Sequence, residues 1–475
     1  MNRTLTVLLA AVVGALSPLP LVAVEPSSTS IERSPSGLRF PVQASYSYYE
    51  RDDEPQEVVQ SPSDIVQSPS DVAIEDNIVI DDTGDAWAAS VCPECQAACD
   101  PGAPWTLPQP CLLQRMGFKV GGWMQQGITM NADDPVDRYN ATVALNDRHG
   151  EWQVNQLWLY LTRPIDQTAP YLQAGAHVDI VWGSDWRFGR FFGLEEKINS
   201  DDQFYGWVFP QMYAEFGGHN LSVKIGHFAG ILGYEVVPAV GNFFYSHSLA
   251  MSYTEPQLVT GVMADYKLSE QWSVQAGFHR GWFMFEDLNN KLDFMGGIKW
   301  QSCDGRLSAA YALSSGNQSP LGENWFASSL VIQYQMTEKF KYVLQHNLGQ
   351  ADDLAAGNDA EWYGINQYLL YTINPCWSLG ARIEWMRDDD GTRVAGIGNL
   401  LGTNRGWTGG PGYAGDFYEL SLGVNWKPKA NLWFRPEVRW DWYDGPNNLI
   451  DGTRPFSDGQ DDSQFTAGFD VIVTY

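Results

Sequence analysis

From Gly117 onward the chain is written in segments of about ten residues in which apolar and polar side chains alternate, joined by tight turns and longer polar loops in turn. A period of two sends successive side chains to opposite faces of a strand. Between Leu432 and Trp442, residues Leu432, Phe434, Pro436, Val438, Trp440 and Trp442 share one face, while Arg435, Glu437, Arg439 and Asp441 share the other. Trp377, Leu379, Ala381, Ile383 and Trp385 oppose Ser378, Gly380, Arg382 and Glu384 in the same way. Segments around Tyr418–Trp426 and Trp272–Phe278 repeat the pattern. One face suits lipid and the other water. A soluble sandwich also alternates, but it seldom ends so many strands in Trp or Tyr, which concentrate where a membrane meets water.

Tight turns are expected near 164–168, 217–220, 269–271, 302–305, 337–339, 374–376 and 428–431. Longer loops are expected near 131–150, 185–205, 229–256, 286–291, 315–323, 351–359, 388–415 and 444–462. Together they join sixteen strands. The fold class is therefore all-β: a transmembrane antiparallel β-barrel of about sixteen strands over residues 113–475, wide enough for an aqueous lumen. Strand edges are ambiguous at 205–216 and 256–268. Aromatic residues make up 13% of the chain and Lys plus Arg number only 29, a composition that suits interfacial aromatic girdles and excludes a nucleic-acid partner.

The first 23 residues have the layout of a signal peptide, with Arg3, an apolar run from Leu5 to Leu16, and a Leu21-Val22-Ala23 cleavage site. Past them no stretch reaches the roughly 20 apolar residues of a membrane-spanning helix. Residues 24–112 are rich in Ser, Pro and acids and repeat Gln-Ser-Pro-Ser-Asp at 60 and 67. With 16 acids against 3 bases (net −13), they read as a disordered periplasmic leader that serves as linker or binds peptidoglycan or a partner. Residues 113–475 carry 41 acids and 25 bases (net −16). This acidity predicts a mild cation preference.

At the C-terminus, Phe465, Ala467, Phe469, Val471, Val473 and Tyr475 share one face, and Thr466, Gly468, Asp470, Ile472 and Thr474 share the other. A terminal aromatic on a closing strand resembles the signal by which barrel assembly machinery recognises its clients. Gly121-Gly122-Trp123, Gly189-Arg190-Phe191, the run Gly241-Asn242-Phe243-Phe244-Tyr245-Ser246-His247-Ser248, Tyr253-Thr254-Glu255-Pro256 and Thr260-Gly261 together resemble the second, OmpL-like family of β-barrel porins. The resemblance covers about Leu113 to Tyr475. It implies an outer-membrane channel and assigns no substrate.

On this reading Arg382, Glu384, Glu419, Arg435, Glu437, Arg439 and Asp441 are pore-lining residues that set a transverse field, or pair with one another across strands. The 229–256 connection is too apolar to lie in water, so it folds inward as a constriction, with Tyr234, Glu235, Tyr245, His247 and Glu255 as lining groups, or forms a short helix on the rim. Cys92, Cys95, Cys99, Cys111, Cys303 and Cys376 are an even number in an exported chain and point to disulfides of unknown connectivity. Zinc at Cys92 and Cys95 finds no His between Ala23 and Arg148, and Gln96 after Cys95 excludes haem attachment. No catalytic motif is found, and the seven histidines from His149 to His346 are scattered. The expectation is a cofactor-free, metal-free outer-membrane porin, not an enzyme, through which small hydrophilic solutes or ions diffuse, with lipid around it and a homo-trimer as the candidate assembly. The alternatives are a sugar-specific channel, hinted at by Trp158 and Tyr160 on the polar phase of their strand, and a structural or adhesive surface barrel without transport.

Overall fold

The computed structural model describes residues 99–200, 203–318, 323–355, 358–397, 407–448 and 452–475. The signal segment, the leader up to residue 98, Cys92 and Cys95 lie outside them. Sixteen strands form the barrel: β1 (Lys119–Asn131), β2 (Gln153–Arg163), β3 (Gln173–Gly183), β4 (Gly206–Val208 and Met212–Gly218), β5 (Leu221–Ala229), β6 (Leu258–Lys267), β7 (Trp272–Trp282), β8 (Asp293–Gln301), β9 (Leu307–Asn317), β10 (Asn324–Gln335), β11 (Phe340–Ala355), β12 (Asn358–Asn374), β13 (Trp377–Asp388), β14 (Gly415–Lys429), β15 (Leu432–Asp444) and β16 (Ser463–Thr474). Each strand pairs antiparallel with the next, and β16 pairs with β1 from Trp123↔Thr474 to Asn131↔Thr466. Closure leaves no edge to satisfy, which is how a sheet crosses a bilayer. Both pieces of β4 pair with β3; the interruption falls at Phe209-Pro210-Gln211, where proline has no N–H for the ladder.

The short connections lie at one end of the barrel and the long loops at the other. Along β13, β14 and β15 the outward residues form two aromatic bands. Trp377 stacks on Trp426 at 5.5 Å and Trp426 on Phe434 at 5.1 Å near the tight turns, while Tyr418 stacks on Trp442 at 5.6 Å near the long loops. Trp377 to Trp385 inclusive is nine residues, within the roughly 9–11 that a tilted strand needs to cross the hydrocarbon of a bilayer. Among the described residues no helix is long and apolar enough to cross a membrane.

The segment before β1 is fastened beneath the tight-turn end. Cys99 is disulfide-bonded to Cys376 in the β12–β13 turn. The carbonyl of Pro101 accepts from the Ala430 N–H, Asn431 pairs with the Trp105 backbone, and Gln109 bonds both N–H and C=O of Val120 at the start of β1. The chain therefore runs under the seam where β16 meets β1. Cys111 and Cys303 are exposed free thiols, a correction to the pairing expected of them. Cys111 leads into β1 and Cys303 sits in the β8–β9 turn, half a barrel away, whereas a disulfide needs Cα atoms within about 7 Å.

Candidate functional site

The β5–β6 connection, residues 230–257 and called L3 below, folds into the lumen. Its residues fit because the wall opposite is glycine. A Cβ on Gly423 would stand 2.9 Å from the ring of Phe244, one on Gly127 2.8 Å from Tyr245, and one on Gly380 would collide with Phe243. The family-marker run Phe243-Phe244-Tyr245 thus packs against an inner wall without side chains.

The backbone of L3 is held by charged side chains of β13 to β16. Glu437 accepts from the N–H groups of Tyr245 and Ser246 at 2.8 and 3.0 Å, and Glu384 from those of Leu249 and Ala250 at 2.6 and 2.5 Å. Arg435 donates to the carbonyls of Ala239 and Asn242, Arg439 to that of His247 and Arg382 to that of Ser246, all at 2.7 to 3.0 Å. Each arginine also has a carboxylate: Arg382 meets Glu235 and Glu419 at 2.8 Å, Arg435 meets Asp470, and Arg439 meets Asp441. The remaining contacts circle the lumen. Gln156 on β2 binds Val237 and Ala239, Ser329 on β10 binds Gly233, Gln345 on β11 binds Tyr234 and Glu255, and Trp362 on β12 binds the Thr254 carbonyl. Irregular backbone is tolerated at membrane depth only when protein satisfies it, and the wall does so here residue by residue.

Arg382, Glu384, Glu419, Arg435, Glu437, Arg439 and Asp441 all project inward and all are at most 6% exposed. Arg382, Glu384, Arg435, Glu437 and Arg439 bond L3, while Glu419 and Asp441 pair with Arg382 and Arg439, so the expected pairing is present and burial under L3 takes the place of contact with open water. Register partners such as Arg382↔Ser421, Ser421↔Arg439 and Arg439↔Thr466 keep them in one inward row. The five L3 candidates divide. Glu235, Tyr245, His247 and Glu255 are buried anchors, and Tyr234 is half-buried, packed on Tyr368 at 4.8 Å with the Lys341 ammonium 5.6 Å from its ring. Burial alone would raise the Glu235 carboxyl, but Arg382 and His247, with the Ser248 N–H, hold it well below the usual carboxylate range. The helix of L3, Leu249–Tyr253, is wholly buried inside the barrel and not on its rim; Ser248 caps it by accepting from the Met251 N–H.

Two further loops, L1 (132–152) and L2 (184–205), close over L3. Arg187 and Asp147 join them through a buried two-pronged pair at 2.8 and 2.7 Å, and the Tyr253 hydroxyl donates to the Thr142 carbonyl. In L2, burial pushes the Glu195 carboxyl up to about 7, although the Phe191 and Phe209 N–H groups donate to it. From the 388–415 connection, Arg393 lies over Trp362 at 4.2 Å and donates to the Tyr253 carbonyl. On the far wall, Met295, Ala327, Val343, Ala351 and Ala360 are fully covered. The long-loop half of the lumen is thus packed, while inward residues of the tight-turn half such as Gln275, Lys299, Gln333 and Lys341 are only partly buried. Trp158 does not offer its face to a solute: it stacks on Trp123 at 4.5 Å and donates to Asp179. Tyr160 is half-buried.

Sequence reasoning missed Gly127, Gly380 and Gly423, and also Gln156 and Gln345. Inward glycine on a polar face was the available signal, since it makes room for a neighbour.

The outer membrane channel DcaP of Acinetobacter baumannii is similar over 75% of this chain and 97% of its own, with a TM-score of 0.48 and 11% identity. OprB of Pseudomonas putida is similar over 77% and 96%, with a TM-score of 0.48 and 14% identity. The anion-selective porin from Comamonas acidovorans is similar over 75% and 99%, with a TM-score of 0.47 and 10% identity. No curated protein matches the chain. The family model of the beta-barrel porin-2, OmpL-like proteins matches residues 117–475, and the chain belongs to that family of outer-membrane barrels.

Proposed function

We propose that this barrel is a porin that lets small hydrophilic solutes and ions diffuse passively across the outer membrane, with L3 as its constriction. The observation that carries the reading is a closed sixteen-strand wall, apolar outside, whose polar inner face holds a folded loop at mid-depth. In this reading the tight turns and the leader face the periplasm, and a homo-trimer is the assembly. Reconstitution in planar bilayers tests it: discrete conductance steps are expected, and their absence at every voltage would overturn it.

A second reading is favoured by one observation, the burial of all seven inward charges under L3, L1 and L2. A barrel plugged in this way would be a structural or adhesive surface protein. Liposome swelling separates the two. Swelling that falls with solute size supports the porin, swelling for one sugar alone supports a specific channel, and no swelling supports the plug.

A further inference from the structure

The chain holds 57 acids against 29 bases, and of those bases only ten are lysines. Six of the ten point inward around the tight-turn end of the barrel. Strand register places Lys119, Lys224, Lys267, Lys299 and Lys341 on the inward phase, each within a few residues of the tight-turn end. Lys427 joins them from β14, its ammonium 3.8 Å from the centre of the inward Trp433 ring. The same stretch of inner wall contains two acids, Glu215 and Asp265. Glu215 accepts from the Ser222 hydroxyl and Asp265 from Gln167.

A chain this acidic has no compositional reason to gather lysine in its lumen. In a narrow space with low-dielectric walls an excess of one sign concentrates counter-ions and repels the other sign. The acids of the tight turns, such as Asp166 and Glu270, stand in bulk solvent, where screening over about 8 Å isolates them from the lumen. At L3, Arg382, Arg435 and Arg439 stand among seven carboxylates, Glu235, Glu255, Glu384, Glu419, Glu437, Asp441 and Asp470, but all of these are buried and hydrogen-bonded under the loop, so the charges that permeating ions meet directly are the lysines.

We propose that the tight-turn half of the lumen is a basic vestibule that collects small anions and that the pore therefore passes anions in preference to cations, the opposite of what overall acidity predicts. The proposal rests on the porin reading. Its test is the reversal potential of the full-length protein in a planar bilayer under a potassium chloride gradient. Chloride should permeate at least about threefold better than potassium. Lys299→Gln with Lys341→Gln should bring the ratio towards unity, and Asp265→Asn should raise it. Conductance that is cation-selective or unselective in the wild-type channel would overturn the vestibule and leave the porin standing. No conductance at all would overturn the porin reading itself. Because the wild-type measurement decides alone, misfolding of a variant does not protect the proposal.

Discussion

At the scale of single residues the lumen is governed by Arg382. It is fully buried and bonds Glu235 in L3, Glu419 on β14 and the Ser246 carbonyl, with Phe244 stacked at 5.0 Å. Burying ions is costly, and the cost is met only while every partner stays. Arg382→Met should therefore destabilise the barrel by about 3–5 kcal/mol, because it strands two carboxylates. Adding Glu235→Gln should recover part of that, and unfolding in urea with the protein in liposomes gives both numbers. The folded pKa of Glu235 lies below its unfolded value, so this pair's contribution is present above the usual carboxylate range and is lost only as pH falls through the lowered value. With Arg382 gone, burial raises the Glu235 carboxyl instead, so the variant binds a proton on folding and the cost of Arg382→Met should be smaller at about pH 5 than at pH 8; an equal cost at the two pH values would show that Glu235 is not held ionised by Arg382.

At the scale of elements, the strands were legible in sequence and the path of L3 was not. Alternation in Leu432–Trp442 or Trp377–Trp385 records which side meets lipid, because a polar residue facing hydrocarbon is too costly to keep. The inward phase carries no such record. Arg435 and Glu437 read identically whether they meet water or the backbone of a loop nearly 200 residues earlier. That L3 turns inward was readable from its apolar content; that it binds Glu384 and Glu437 was not, since no local rule links those positions. The Cys99–Cys376 bridge spans 277 residues and escaped the sequence for the same reason. It sets the fate of the segment it anchors. Cys376→Ser, or reduction of the native protein, should speed chymotryptic cleavage after the exposed Trp105 while the barrel stays resistant to heat. The remaining ties, through Asn431 and Val120, are ordinary hydrogen bonds, each worth about 1 kcal/mol. An unchanged cleavage rate would mean that those ties suffice.

At the scale of the molecule, the barrel has two kinds of inner surface and one kind of outer surface, and arginine can report all three. Ala467 lies on the outward phase midway along β16, where a charge would sit in hydrocarbon, so Ala467→Arg should cost about 2–4 kcal/mol. Thr466 is its inward neighbour, but it is only 3% exposed and lies opposite Arg439, so arginine there would meet a buried like charge. Gln333 on β10 is inward and partly buried in the tight-turn half, away from L3 and from any buried arginine, so Gln333→Arg should cost less than either. Refolding into liposomes, without assembly factors, isolates these energies from recognition of the C-terminal strand. The order expected for the loss of stability is Gln333→Arg smallest, with Thr466→Arg and Ala467→Arg both large for different reasons. If Thr466→Arg proved as mild as Gln333→Arg, L3 would not be packed against β16 in the membrane, and the lumen would be open along its whole length.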